Sequence, residues 1–269
     1  MAKYKKKRAR ELKQDKFRDT AMKVIDRVSD RLEGQGRSIL YGIAGVIIAA
    51  AVVWFFISWS NRRADEARHA LGRAITIAST PVSATPAAGS SAPSFATEQE
   101  RAQKAIDEFQ KVAARYGDPY RTEARYFIAA NLLYVDRNKG ISELTELTKS
   151  SNNEVATLSK FALAQAKEAD GKYDEAAALY GELSKQSSAV VTPETANLRL
   201  AMVYEKQDKK KEASDLLFNI ADAARKAKDA EGNPTAQSQA ARDAAQELQK
   251  LNPARYAQLT PEAPPNLAF

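Results

Sequence analysis

FALAQAKEADGKYDEAAALYGEL, residues 161–183, is the stretch on which the fold turns. Leu163-Ala164 sets a small residue beside a branched one, which lets a second helix approach closely. Gly171-Lys172-Tyr173 supplies a turn, because glycine tolerates positive φ and punctuates a helical pattern. Ala176-x3-Tyr180-x2-Leu183 then places small and large apolar residues on one helical face. The stretch reads as two antiparallel helices sharing one seam. The same features return as Leu200-Ala201-x2-Tyr204 and Ala213-x3-Leu217-x2-Ile220. Leu163 to Leu200 and Ala176 to Ala213 are both 37 residues. An earlier unit has Ile128-Ala129-x2-Leu132, 35 residues before Leu163-Ala164, with a poorly matching second helix from Ile141 to Leu147. The first unit is split: Leu71-Gly72-x2-Ile75 fits a first helix, and Ala105-x3-Phe109-x2-Val112 fits a second.

The remaining sequence supports an all-α reading. Ala, Glu, Gln, Lys and Leu dominate, and all favour helix. Runs of β-branched residues alternating with period two are absent. Turn signals recur at Gly117-Asp118-Pro119, Asn138-Lys139-Gly140, Ser150-Ser151-Asn152-Asn153, Gly171, Thr192-Pro193, Gly232-Asn233-Pro234 and Asn252-Pro253. They predict helices joined by short links. Repeated pairs of this kind each leave an apolar face that a neighbour must bury. A further helix, Thr235 to Leu251, has Ala241, Ala244, Ala245, Leu248 and Leu251 on one stripe and reads as a capping helix. The pattern from Arg62 to Ala227 resembles the tetratricopeptide repeat, in which W-x2-L-G-x2-Y precedes A-x3-F at a period near 34. The Trp of that motif is missing here. The implied fold is a tetratricopeptide-like α-solenoid of about four helix pairs plus a capping helix.

Two segments stand outside the repeats. Residues 79–97, STPVSATPAAGSSAPSFAT, interrupt the first pair. Pro, Ala, Ser, Thr and Gly bury too little apolar surface to offset ordering, which predicts a mobile insertion. A glycosylated stalk is a second reading of that composition. Residues 252–269 hold four prolines and read as a tail that ends disordered.

Upstream lies SILYGIAGVIIAAAVVWFFISWSN, residues 38–61, with no charged residue. A helix from Ile39 to Trp59 extends roughly 30 Å, the hydrocarbon thickness of a bilayer. Tyr41 stands near one end; Trp54 and Trp59 stand toward the other, where amphipathic rings favour the headgroup level. The run is longer than a signal-peptide core, and no small-x-small cleavage pattern follows it, so it reads as a transmembrane signal anchor. Residues 1–37 hold 13 Lys/Arg and 6 Asp/Glu, which accounts for the chain's whole net charge of +7. Residues 62–269 hold 28 of each sign. The positive-inside bias therefore predicts a cytoplasmic arm and a C-terminal domain on the other side of the membrane.

Within the arm, Phe17, Ala21, Val24, Val28 and Leu32 follow helical spacing, behind the basic run Lys5, Lys6, Lys7 and Arg8. Three readings stand side by side: an interfacial helix on anionic lipid, a contact with ribosomal RNA, and a solvated topology signal.

The arrangement of basic arm, single anchor and repeat domain resembles the bacterial ancillary subunit of the Sec translocon. So do repeat units such as ALAQAKEADGKYDEAAALYGEL, residues 162–183. The resemblance implies a single-pass bacterial inner-membrane protein, its N-terminus cytoplasmic and its repeat domain periplasmic. It implies secretory clients, the translocon and periplasmic chaperones as partners, and it transfers no functional residue. A scaffold that assembles a stable envelope complex is the alternative.

Chemistry is sparse. The chain has no cysteine and one histidine, His69. That excludes disulfides, thiol catalysis and thiolate metal sites, and leaves His69 without a ligand set. No phosphate-binding loop, dinucleotide fingerprint, HExxH or nucleophile elbow is present. Asp107/Glu108 and Asp174/Glu175 sit near Lys or Arg as solvated helix pairs. The chain therefore reads as a protein-binding module and not as an enzyme, with no cofactor and no metal.

The binding surface is predicted from register. Tyr126, Phe161 and Leu198 each precede an Ile-Ala or Leu-Ala pair by two residues, and Leu133 and Met202 lie near the same strip. These five predict an apolar groove for client segments. The competing reading is that a neighbouring pair or the final helix covers them as core.

Overall fold

The structure, a computed structural model, describes residues 36–83 and 94–262, with side chains from Ala50 onward except at 56 and 57. The basic arm, including Lys5, Lys6, Lys7, Arg8 and the stripe Phe17–Leu32, lies outside the described residues. The chain divides into two units, Met1–Ala64 and Asp65–Phe269.

Helix α1 runs over Gly36–Ala78. In the first unit its backbone is helical throughout Ile39–Trp59, although the side chains at 39–49, 56 and 57 lie outside those described. Among the described residues no helix is long and apolar enough to cross a membrane. Val52, Val53, Trp54, Phe55 and Trp59 are exposed. The Arg63 guanidinium lies 4.8 Å from the Trp59 ring centroid.

Among its described residues the second unit is built of helices joined by short links. After the end of α1 come α2 (Glu98–Arg115), α3 (Tyr120–Val135), α4 (Arg137–Leu147), α5 (Asn153–Ala169) and α6 (Tyr173–Leu183). Then follow α7 (Pro193–Lys206), α8 (Lys210–Lys226), α9 (Gln239–Leu251) and the single turn α10 (Pro253–Tyr256). Among the described residues the only β pairing is two isolated bridges, Val82–Phe95 and Lys228–Pro234. From α2 onward, each helix through α9 packs on the next in sequence. In addition α3 touches α5, and α7 touches α9.

Capping explains the breaks. Asn152 accepts from the Glu154 and Val155 amides, and Thr192 caps a helix that begins with Pro193. Asp136 alone separates α3 from α4, its carboxylate accepting from the Lys139 amide at 3.1 Å.

Among the described residues, apolar side chains gather in four clusters, each joining neighbouring helices. Leu71 and Ala74 of α1 meet Ala105, Phe109 and Val112 of α2 and Ala124 of α3. Ala129, Leu144, Leu147, Val155, Ala162 and Leu163 join α3, α4 and α5. Ala164, Ala176, Tyr180, Leu183, Ala196, Leu200 and Val203 join α5, α6 and α7. Leu198, Ala201, Leu217, Ile220, Ala241, Ala244 and Leu248 join α7, α8 and α9.

The structure revises the turn read at Gly140 and adds local detail at three other places. Gly140 is not a turn residue but is buried inside α4. A Cβ there would meet the Leu133 nitrogen at 2.8 Å and the Ala129 oxygen at 3.0 Å. Gly140 therefore holds the place that Ala105, Ala176 and Ala213 hold in the other pairs, all fully buried. The segment 79–97 is ordered at both ends. Ser83 donates to the Phe95 carbonyl at 3.0 Å, and Phe95 is buried; residues 84–93 lie outside the described ones. The tail is docked through residue 262. Leu259 is buried in the last cluster, and Thr260 donates its amide and its hydroxyl to Asp222 at 3.0 and 2.7 Å. The capping helix also begins later than expected, at Gln239, after Ser238 caps it.

Candidate binding cleft between α5 and α7

First helices of neighbouring pairs touch at α3–α5 and at α7–α9, but α5 and α7 approach each other less closely. A cleft of about 260 Å³ opens there, lined by Gln165, Glu168, Ala169, Tyr173, Arg199 and Lys206. Below it lies Tyr180, fully buried in α6. The Tyr180 hydroxyl donates to the Glu168 carboxylate at 2.9 Å. Burial, then the Glu168 charge, pushes the Tyr180 hydroxyl far above its ordinary pKa, so it remains a donor at all working pH values. That bond commits part of Glu168 to the protein. Arg199, half-buried, and Lys206, exposed, have no ion-pair partner among the described residues. The cleft therefore presents two cations against one partly engaged carboxylate, and it suits a carbonyl or carboxylate oxygen.

The five residues expected to form an apolar groove keep their register but do not make one open strip. Tyr126 and Leu133 are half-buried against the α3–α4–α5 cluster. Burial raises the Tyr126 pKa. Phe161 is half-buried and meets Tyr180 edge-on, with centroids 5.7 Å apart. Met202 is half-buried on the last cluster. Leu198 is 8% exposed and packs with Ala241, Ala244, Ala245 and Leu248. It is a core residue, because α9 covers it. The helix that closes the stack covers the end of the strip that was expected to be open.

The polar lining was missed, because the 37-residue register pairs its residues with unlike ones. Gln165 aligns with Met202, Ala169 with Lys206, and Ala162 with Arg199. The expected groove considered apolar positions only, so Arg199 was passed over beside Leu198.

Neither acidic pair forms a site. Glu108 lies 2.7 Å from Lys111, and that bond holds its carboxyl below the usual range. Glu175 lies 2.5 Å from Lys167, with the same effect. Asp174 accepts from Gln207 at 2.8 Å. His69 is exposed. Among the described residues no group of three or more acidic or histidine side chains is arranged to hold a metal ion. No protein-family model, curated protein or solved structure matches the chain.

Proposed function

We propose that this protein is a membrane-anchored, non-enzymatic protein-binding module, and that its helices form a tetratricopeptide-like solenoid. The observation that carries the reading is the recurrence of one helix-pair unit, stacked so that α5 and α7 leave a cleft lined by Gln165, Arg199 and Lys206. Stacked pairs present an extended surface suited to a polypeptide. Phe161 offers a half-buried aromatic face, and Arg199 and Lys206 offer donors to backbone or carboxylate oxygens. The uncharged run 38–61 supplies the anchor, and the basic arm keeps the N-terminus cytoplasmic. In a bacterial inner membrane this topology puts the solenoid in the periplasm, where secretory and envelope proteins are its clients.

A photo-crosslinking residue at Gln165, used in native membranes, tests the binding role. Expected are adducts with several secretory proteins, lost on Arg199→Gln combined with Lys206→Gln. Adducts with lipid alone, or adducts unchanged in the double variant, overturn it.

A further inference from the structure

The α5–α7 cleft does not end at Tyr173. That residue also lines a second cleft, of about 520 Å³, together with Gly171, Lys172, Asp174, Glu175, Gln207 and Lys209. The two clefts meet at Tyr173 and form one track. It passes the last turn of α5 and of α7 and then the turns that follow those helices.

The charges along this track are unequally engaged. Glu168 receives the Tyr180 hydroxyl at 2.9 Å, Asp174 the Gln207 amide at 2.8 Å, and Glu175 the Lys167 ammonium. Lys209 donates to Gln207 at 2.9 Å and stands near the Tyr204 ring. Lys172, Arg199 and Lys206 have no ion-pair partner among the described residues. Three cations are thus left to a ligand, beside three carboxylates already bonded within the chain.

Helical geometry spaces two of the cations. Arg199 and Lys206 are seven positions apart on α7, which is about two turns, so they share a face and stand about 10 Å apart along the axis. A polypeptide in the polyproline II conformation rises about 3.1 Å per residue and returns to the same side every third residue. Its residues i and i+3 therefore lie about 9 Å apart on one side, and carboxylates there reach both cations. Tyr173, half-buried between the two clefts, is an aromatic surface of the kind on which proline packs. Glu168, Asp174 and Glu175 act as a filter. They repel a ligand charged at every unit, such as a nucleic acid, and accept one with neutral residues between its charges.

Building on the binding role above, we propose that this track takes an acidic, proline-containing extended segment of a partner protein. Its carboxylates, three residues apart, meet Arg199 and Lys206, and its chain continues past Tyr173 toward Lys172.

The test measures fluorescein-labelled peptides by anisotropy against the full-length chain in non-ionic detergent. The probe is Gly-Pro-Glu-Pro-Pro-Glu-Pro-Gly. Expected is saturable binding that weakens with added salt. The glutamine version does not bind, and a version with adjacent glutamates binds about tenfold more weakly. Arg199→Gln weakens the probe about tenfold and Lys206→Gln, at an exposed position, about threefold. Lys185→Gln, at an exposed lysine outside the track, leaves binding unchanged. A third glutamate three residues further on tightens binding about threefold, and Lys172→Gln removes that gain. Wild-type urea midpoints for the variants separate lost contacts from lost structure. The proposal falls if the probe does not bind, if the glutamine version binds alike, or if glutamate spacing has no effect. It also falls if decauridylate or phosphatidylglycerol vesicles bind through Arg199 and the probe does not. Any of these results with the Gln165 crosslinks to proteins intact overturns this assignment alone; loss of the crosslinks as well overturns the binding role too.

Discussion

Gly171 and Asp208, 37 residues apart, hold the same left-handed position at successive interhelix turns, with φ of +72° and +59°. The repeat thus reaches into backbone conformation as well as side-chain pattern. Glycine adopts this region freely, and aspartate is among the few other residues that tolerate it. No atom lies within 4 Å of a Cβ built at Gly171. Gly171→Ala therefore isolates the backbone term, and it is expected to lower unfolding stability by about 1–2 kcal/mol. Urea titration reads the loss. Asp208→Gly is expected to be neutral or mildly stabilising; a loss as large as that of Gly171→Ala would show that Asp208 is held by its side chain.

Gly140 and Gly181 make opposite predictions. At Gly140 an added methyl meets backbone of α3, which a rotamer change cannot relieve. Gly140→Ala should cost about 1–3 kcal/mol through overpacking. Gly181 lies inside α6 with open space around it, and Gly181→Ala should gain about 0.5–1 kcal/mol from backbone entropy. Equal midpoints for the two variants would mean that α3 and α4 separate without cost.

The docked tail predicts acid sensitivity. Asp222 accepts from Lys226 at 2.6 Å and from Thr260 twice. These bonds, Lys226 first, depress its pKa from 3.8 to about 2. A depressed carboxylate pKa contributes stability that is full above the unfolded value and is lost as pH falls through the folded one. The contribution is therefore complete above about pH 4 and fades toward about pH 2. The difference in unfolding stability between wild type and Asp222→Asn should stay constant near neutrality and shrink across that window. A difference that persists at pH 2 would assign it to shape and not to charge.

The proposed anchor predicts a protease pattern. Protease outside spheroplasts should degrade the chain after about Asn61 and leave a small basic fragment, the outcome that the positive-inside bias of residues 1–37 favours. Full protection of the C-terminal unit, or its release as a soluble fragment, would reject this topology.

The helix pairs were legible because burial imposes a period. Ala164, Ala176, Ala201 and Ala213 are small where two helices meet, and all are nearly or fully buried. Gly140 escaped because glycine signals both a turn and a close contact, and only the approach of Ala129 and Leu133 separates the two. Leu259 and Thr260 escaped for another reason. Their docking depends on Asp222 and Arg225, more than 30 residues away, and a proline-rich composition does not display such a partner. Leu198 escaped because its exposure is decided by α9, which no local pattern around Leu198 reports.

Leu198 and Arg199 separate core from cleft across a single peptide bond. Adjacent helical positions differ by about 100°, so one side chain turns under α9 while the next faces α5. Leu198→Ala removes buried contacts with Ala241, Ala244 and Leu248 and should cost about 2–5 kcal/mol. Arg199→Gln keeps most of the stem and removes a charge that has no ion-pair partner among the described residues, so stability should stay within about 0.5 kcal/mol of wild type. Crosslinking from Gln165 should respond in the reverse order. Arg199→Gln should reduce it in a folded protein, whereas Leu198→Ala should reduce it only in proportion to the unfolded fraction. If Arg199→Gln instead destabilises as much as Leu198→Ala, the guanidinium serves the buried Tyr180–Glu168 pair, and the cleft loses its recognition role.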